Sequence, residues 1–218
     1  MSRLILIALV SAAAVFSTPV CYAQGGGVAM SRMEKRVHAP SAMKLRLDMR
    51  QLWEEHIVYT RNYIISGIAG LEDSQKVAER LLRNQDDIGN AVKPYYGAQA
   101  GEKLALLLRD HILIAADIVA AAKAGSGDKV TALQKTWHAN ADEIAGLLSG
   151  ANPNWQKSAL TEMLYKHLDL TTKEVVSRLN KDWAGDIDAY DQGHVHMLGF
   201  ADALTDGIVK QFPKKFSK

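Results

Sequence analysis

The stretch LRLDMRQLWEEHIVYTRNY, residues 45–63, decides the fold. Its apolar and aromatic side chains recur every three or four residues, so they fall on one face of an α-helix. The strict alternation that is typical of a strand is absent. The stretch therefore predicts an amphipathic helix that packs this face against other helices. The predicted face consists of Leu45, Met49, Leu52, Trp53, His56, Tyr59 and Tyr63.

The same spacing continues along the chain and is interrupted only by short turns. Proline is excluded from helix interiors, and Pro40, Pro94, Pro153 and Pro213 all fall between or outside the periodic segments. Short connections force consecutive helices to run antiparallel. We therefore predict an all-α fold, an up-and-down antiparallel helical bundle of about six helices. The predicted helices cover residues 42–69, 74–92, 101–124, 129–149, 156–180 and 184–211.

Composition limits the class of protein. The chain is 48% hydrophobic and 23% charged, which is typical of a globular protein. Its 26 basic and 24 acidic residues nearly balance, so we expect no nucleic-acid partner. The single cysteine, Cys21, excludes a disulfide framework and a thiolate zinc site.

The N-terminus has the pattern of a secretory signal. A basic start is followed by an apolar run over residues 4–16 and then by small residues. The run is too short to span a membrane, so we predict a signal peptide over residues 1–23, with a lipidated Cys21 or a retained anchor as the alternative. Residues 24–41 then form a flexible leader. We expect an exported protein, periplasmic or extracellular, with no membrane span after cleavage.

The remaining chain is predicted to be one helical-bundle domain, residues 42–213, with a short tail over 214–218. Within it, NQDDIG at residues 84–89 matches NADEIA at residues 140–145, an offset of 56. His111 and His167 share that offset. We interpret the match as an internal repeat in which a helical hairpin was multiplied.

A regular series of polar residues runs through these helices. Its members follow one another at nearly equal spacing, one to each predicted helix, and each lies midway between neighbouring turns. Because every helical residue adds the same rise of about 1.5 Å, all of them are predicted at nearly the same height in the bundle. The series is His56, Asn84, His111, Asn140, His167 and His194.

This layer has the residue types of a metal site. Neutral imidazole is the commonest ligand of transition metals, carboxylates complete the coordination sphere, and bundles build such sites on facing helices. We therefore predict a transition metal ion (Fe, Zn, Cu, Mn or Ni), with Asn84 and Asn140 beside it. His196 replaces His194 if the last helix is slightly rotated. The candidate ligands are His56, Asp87, His111, Glu143, His167, Asp191 and His194.

The alternative is a metal-free polar network that fixes helix register in a structural or interaction bundle of the cell envelope. A dinuclear carboxylate centre is disfavoured, because only Asp191 and His194 have the acid-x-x-His spacing. No nucleophile–base pair can be argued and no HExxH motif or phosphate-binding loop is present, so a hydrolase or transferase comes third, and whether the protein is an enzyme stays open. Storage, sensing or redox chemistry of the metal stays open, and no protein partner is predicted.

Several segments resemble a family of small bacterial helical proteins, and the likeness covers residues 45–216. Some relatives carry the names acetylglutamate kinase or glycosyltransferase, which nothing in this sequence supports. The resemblance implies the helical fold and no activity. It also implies that relatives have an acid at the position of Asp191, a Glu-like residue at that of His194 and glutamine at that of His196. This favours a metal site formed by Asp191 and the three earlier histidines. The segments are LWEEH (52–56), residues 84–90, PYYG (94–97), residues 137–144, NPNW (152–155) and residues 207–213.

Overall fold

A computed structural model describes residues 39–216 of the chain. The predicted signal peptide and nearly all of the predicted leader lie outside the described residues. Within residues 39–216 the structure is helical, with five α-helices and a final short 3-10 helix and no strand. The helices are α1 (Pro40–Ala69), α2 (Ser74–Lys123), α3 (Gly127–Ala151), α4 (Lys157–Leu179) and α5 (Trp183–Gln211), followed by the 3-10 turn Pro213–Phe216.

The helices form a closed bundle. Each helix packs against the next along the chain, and α5 returns to pack against α1. The buried side chains between them are mostly Leu, Ile, Val, Met and Ala, together with Trp53, Trp137 and Phe200. The indole of Trp53 meets the ring of Phe200 edge-on at 5.0 Å, which joins α1 to α5. The predicted all-α fold and helical bundle are therefore confirmed.

The count of about six helices is not confirmed: residues 39–216 contain five α-helices, of which α2 consists of two helical segments joined at the non-helical residue Gly97. That helix is folded at Gly97, whose φ of 84° and ψ of 168° are open to glycine but strained for other residues. The chain returns along itself: the Nη1 atom of Arg109 lies 3.0 Å from a carboxylate oxygen of Asp86. We call residues 74–96 the first arm of α2 and residues 98–123 the second arm.

Small residues let the two arms approach closely. A Cβ atom on Gly89 would lie 2.5 Å from the carbonyl oxygen of Gly101, so neither position has room for a side chain. This contact sets the height at which the arms face each other. It thereby helps to place the polar residues in the middle of each arm.

Ordered packing reaches the end of the described chain. Phe216, which the sequence analysis places in the tail, is 2% exposed and stacks on the ring of Tyr95 at 6.0 Å. At the other end, α1 begins at Pro40, where proline fits the first helical turn because its missing N–H has no helical partner. None of the helices between residues 39 and 216 is long and apolar enough to cross a bilayer.

Candidate functional site

Three histidines meet inside the bundle. His56 lies on α1, His111 on the second arm of α2 and His167 on α4, and none is more than 3% exposed. The ring centre of His167 is 5.5 Å from that of His56 and 5.9 Å from that of His111. Trp53 and Trp137 cover the two outer imidazoles at 5.5 and 5.0 Å. We call these three histidines the histidine cluster.

The tautomer of His56 follows from its hydrogen bond. Its Nδ1 lies 3.3 Å from Oε1 of Gln85. The amide nitrogen of Gln85 donates to the carbonyl of Leu81 at 2.8 Å, so its oxygen is the atom that faces the ring. An amide oxygen only accepts, and His56 must therefore carry its proton on Nδ1. The Nε2 atom is left with a free lone pair and has no hydrogen bond within residues 39–216.

His111 is held in the same way by one residue of α3. Its Nδ1 donates to Oδ1 of Asn140 at 2.8 Å, and Nδ2 of Asn140 donates to the carbonyl of Leu107 at 3.0 Å. This carbonyl lies one helical turn before the histidine. Both ends of the amide are thus used, and Nε2 of His111 again keeps a lone pair without a hydrogen bond to the described part of the chain.

His167 has no such partner. Its Nδ1 is buried and makes no hydrogen bond with any residue between 39 and 216. The hydrogen bond recorded at this residue involves its backbone, where the hydroxyl of Thr171 donates to the carbonyl at 2.9 Å. No hydrogen bond at Nδ1 therefore orients the central imidazole of the cluster, and none there imposes its tautomer.

Burial keeps all three imidazoles neutral. It lowers the pKa of His56 to about 4, and it lowers the pKa of His111 to about 3, helped by the nearby His56. The pKa of His167 falls well below its usual value because of burial and the two neighbouring histidines. At neutral pH the cluster thus offers uncharged nitrogen bases, the form in which histidine binds metals.

The other predicted ligands lie outside the cluster. Asp87 is only partly buried, and Glu143 and Asp191 are exposed. His194 is on the surface side of α5, where its Nε2 is 3.2 Å from Oε1 of Glu54. Among residues 39–216, no three His, Cys, Asp or Glu side chains already stand in positions to hold a metal ion.

The two predicted asparagines do lie beside the cluster. Asn140 bonds His111 directly, whereas Asn84 reaches His56 only through a second amide: Oδ1 of Asn84 accepts from Gln85 at 3.1 Å. Sequence reasoning missed Gln85. A signal was present, because Gln85 follows His56 at the same distance along the chain as Asn140 follows His111.

A second buried polar group lies toward the turn between α4 and α5. Arg61 bonds Glu174 at 2.8 Å and Asp186 at 3.0 Å, and Arg178 bonds Asp186 at 2.8 Å. Burial raises the pKa of Glu174 to about 7 even though the Arg61 guanidinium opposes this. All four side chains are paired, so this group joins α1, α4 and α5 as a structural ion network.

Comparison of the chain with protein-family models, with curated proteins and with solved structures gives no match. The resemblance to small bacterial helical proteins stays a prediction. The function must therefore be argued from the site itself.

Proposed function

We propose that this chain is an exported helical-bundle protein that binds a transition metal ion through the imidazoles of His56, His111 and His167. The predicted carboxylates and His194 are not part of this narrower ligand set. The role of the bound ion would be storage, sensing or redox chemistry.

The observation that carries the proposal is the pair of imidazole–amide hydrogen bonds. Gln85 and Asn140 each accept the Nδ1 proton of a buried histidine and leave Nε2 with its lone pair. Histidines that bind metals typically donate their other ring N–H in this way, which fixes the tautomer and the ring orientation. In both histidines the nitrogen available to an ion is the one without a hydrogen bond to the described part of the chain.

The spacing of the rings supports the proposal. With metal–nitrogen bonds of about 2.0–2.1 Å, two imidazoles on one tetrahedral ion have ring centres roughly 5 Å apart. The observed separations from His167 are 5.5 and 5.9 Å. The rings of His111 and His167 are also within 20° of parallel, so one of them must turn to share an ion. His167 is the ring that can turn, because no hydrogen bond holds its Nδ1 within the described residues.

The ligand set also bears on the role of the ion. Three protein ligands leave one coordination position open for zinc-like ions, whereas structural sites are closed by four. Because the imidazoles are neutral, the ion would keep its positive charge and attract a small anion or hydroxide to that position. An exchangeable or reactive metal is therefore more consistent with the cluster than a purely structural one.

The hydrogen-bond spacing also supports the proposed internal repeat. The carbonyls of Leu52 and Leu107 each lie four residues before a cluster histidine, and each accepts from an asparagine 32 or 33 residues later. A duplicated helical hairpin accounts for the two similar networks more simply than separate origins do.

A second candidate function is the metal-free bundle. The amides of Asn84, Gln85 and Asn140 also link neighbouring helical segments, and buried polar links of this kind fix register. On this interpretation the histidines affect only stability, and the protein acts through a partner at its surface.

Elemental analysis of the purified protein distinguishes the two. The chain is exported through its own N-terminal segment, purified without chelator or histidine tag, and analysed before and after incubation with Zn²⁺ and removal of the excess. We expect about one ion per chain, bound with the affinity of a site with three nitrogen ligands.

Two variants complete the test. His167→Leu should fold, because its Nδ1 has no hydrogen bond to lose within the described residues, and it should no longer retain the ion. His194→Ala removes a surface histidine and is the matched control, so it should retain the ion. Retention by both variants, or no retention by the unmodified chain, would favour the metal-free bundle. Circular dichroism checks folding, and His167→Phe serves if His167→Leu unfolds.

A further inference from the structure

The third helix pair repeats the pattern of the first two with one chemical change. His196 follows His167 at the same distance along the chain as Asn140 follows His111. Its Nε2 donates at 2.7 Å to the carbonyl of Met163, which lies four residues before His167. His196 thus occupies the place that an asparagine amide occupies against the carbonyl of Leu107.

An imidazole cannot do both tasks of the amide. Asn140 donates with Nδ2 and accepts with Oδ1, so it satisfies a carbonyl and a histidine together. His196 donates its Nε2–H to the carbonyl of Met163, and an imidazole has no oxygen that could accept from the cluster. Nδ1 of His167 is accordingly left without a hydrogen bond inside residues 39–216.

The presence of a histidine instead of an asparagine at this position also changes access to the cluster. His196 is half-buried and lines, with Met163 and Tyr165, an open surface groove of about 960 Å³. Its hydrogen bond to the carbonyl of Met163 places it one helical turn before His167. His196 therefore lies between the open groove and the turn of α4 that carries His167.

The two sides of the cluster that are closed by amides are more firmly held. Gln85 is fully buried and uses both ends of its amide. Asn140 borders a smaller groove of about 340 Å³, but turning it outward would break two hydrogen bonds at once. Turning His196 outward breaks only its bond to Met163.

We propose that His196 is the movable side chain through which a metal ion reaches and leaves the histidine cluster from the groove between α4 and α5. This inference rests on the proposed metal function. Outward rotation of the His196 ring into the groove opens a path to His167, and its return to the carbonyl of Met163 closes that path.

Two substitutions move the exchange rate in opposite directions. His196→Asn supplies the missing amide, which can donate to the carbonyl of Met163 and accept from Nδ1 of His167. Closing the path with a second hydrogen bond should slow Co²⁺ association and its release to EDTA by about tenfold. His196→Ala removes the closing side chain and should speed both steps. His138→Asn, at a histidine whose hydrogen bond stays within its own helix, is the control and should change neither.

Stopped-flow absorption of Co²⁺ measures both rates. Opposite shifts in the Asn and Ala variants support the proposal, and unchanged rates in both overturn it. If the unmodified chain binds no Co²⁺, the proposed function fails, and access is then tested on the metal-free protein.

The metal-free test is deuterium exchange at the imidazole Cε1–H positions, followed by mass spectrometry. His167 should exchange several-fold faster than His56 and His111, because water reaches it through His196. His196→Asn should bring it down to their rate. Equal exchange at the three histidines, or no effect of the substitution, overturns the proposal.

Discussion

His56 and His111 differ from His167 in what holds them. The first two donate Nδ1–H to a buried amide oxygen, whereas the third has the same burial and no hydrogen bond at Nδ1 within the described residues. Their backbones are equally helical and their neighbours equally apolar. The difference therefore comes from one residue type, an amide on the following helical segment in two cases and His196 in the third.

This difference divides the cluster into a rigid part and a part that can turn. On the proposed metal function, the two fixed imidazoles would define the position of the ion, and the third ring would complete or open the site. An amide partner in the third pair would give a more stable bundle, because it would satisfy one more buried nitrogen. Within the described residues this nitrogen instead has no hydrogen bond, and the same is true of the Nε1 atoms of Trp53 and Trp137 beside the cluster.

Lowering the pH should have the largest effect on the free energy of unfolding, because it acts on all three cluster histidines alike. The unfolded chain binds protons at its histidines below a pH of about 6.5, whereas burial keeps the three cluster histidines neutral well below that pH. The unfolded state thus binds more protons, and the free energy of unfolding falls as the pH drops. Each histidine contributes up to about 1.4 kcal/mol per pH unit.

Glu174 acts in the opposite direction. Its folded pKa of about 7 lies above the unfolded value, so it favours the folded state at low pH and loses this contribution as the pH rises through 7. The three histidines and the one glutamate act in opposite directions. Together they should lower the free energy of unfolding by up to about 2.7 kcal/mol for each pH unit between about pH 6.5 and 4.5. Urea unfolding at several pH values measures this, and Glu174→Gln should steepen the dependence. A flat profile would contradict neutral buried histidines.

Asn140→Ala should remove the hydrogen bond that holds His111 in place. It leaves Nδ1–H of His111 unpaired in the core, which costs about 1–3 kcal/mol, and removes the additional hydrogen bond to the carbonyl of Leu107, which keeps its helical partner. We expect the free energy of unfolding to fall by about 3 kcal/mol in urea titrations. Asn62→Ala, on the exposed side of α1, is the control and should change it by less than about 0.5 kcal/mol. Equal effects of the two would mean that the imidazole–amide bond does not stabilise the fold.

Leucine at His111 and at His167 compares the two kinds of histidine directly. His111→Leu leaves Oδ1 of Asn140 without its hydrogen bond. His167→Leu breaks no hydrogen bond at Nδ1 within the described residues and removes an unsatisfied nitrogen. We expect His111→Leu to be the less stable variant by about 1–3 kcal/mol in denaturant unfolding. The opposite order would show that His167 has a buried partner that the hydrogen-bond pattern does not reveal.

His196→Asn should have the smallest effect on stability. A new hydrogen bond to Nδ1 of His167 should add about 0.5–1.5 kcal/mol to the free energy of unfolding. Nitrogen-15 NMR of the imidazoles should then show His167 as the Nδ1–H tautomer, like His56 and His111. Loss of stability, or an unchanged tautomer, would mean that the amide cannot reach the ring.

The helices were predictable because the signals for them are local. Proline and glycine positions together with a repeat of three to four residues set the helix boundaries within a few residues. The height of the cluster was predictable for the same reason, since the rise per residue is constant. The predicted turn at Gly97 is confirmed, because its backbone is non-helical and joins two helical segments.

The direction in which individual side chains point around the helix axis was harder to predict. Adjacent helical residues point about 100° apart, so equal height does not decide between Asn84 and Gln85 or between Gly193 and His194. In α5 it is Gly193 that is buried, which leaves His194 at the surface. Asp87 and Glu143 fail for a related reason: a residue three positions along is rotated by about 60°, enough to leave the interior.

The measurement that tests the central claim most directly is a Co²⁺ titration of the metal-free protein followed by visible absorption. The intense ligand-field bands of low-coordinate Co²⁺ report nitrogen ligation inside a protein. We predict that these bands grow to a plateau at about one ion per chain, persist in His194→Ala and vanish in His167→Leu. Bands that never form, or that survive unchanged in the folded His167→Leu variant, would contradict a metal site in the histidine cluster.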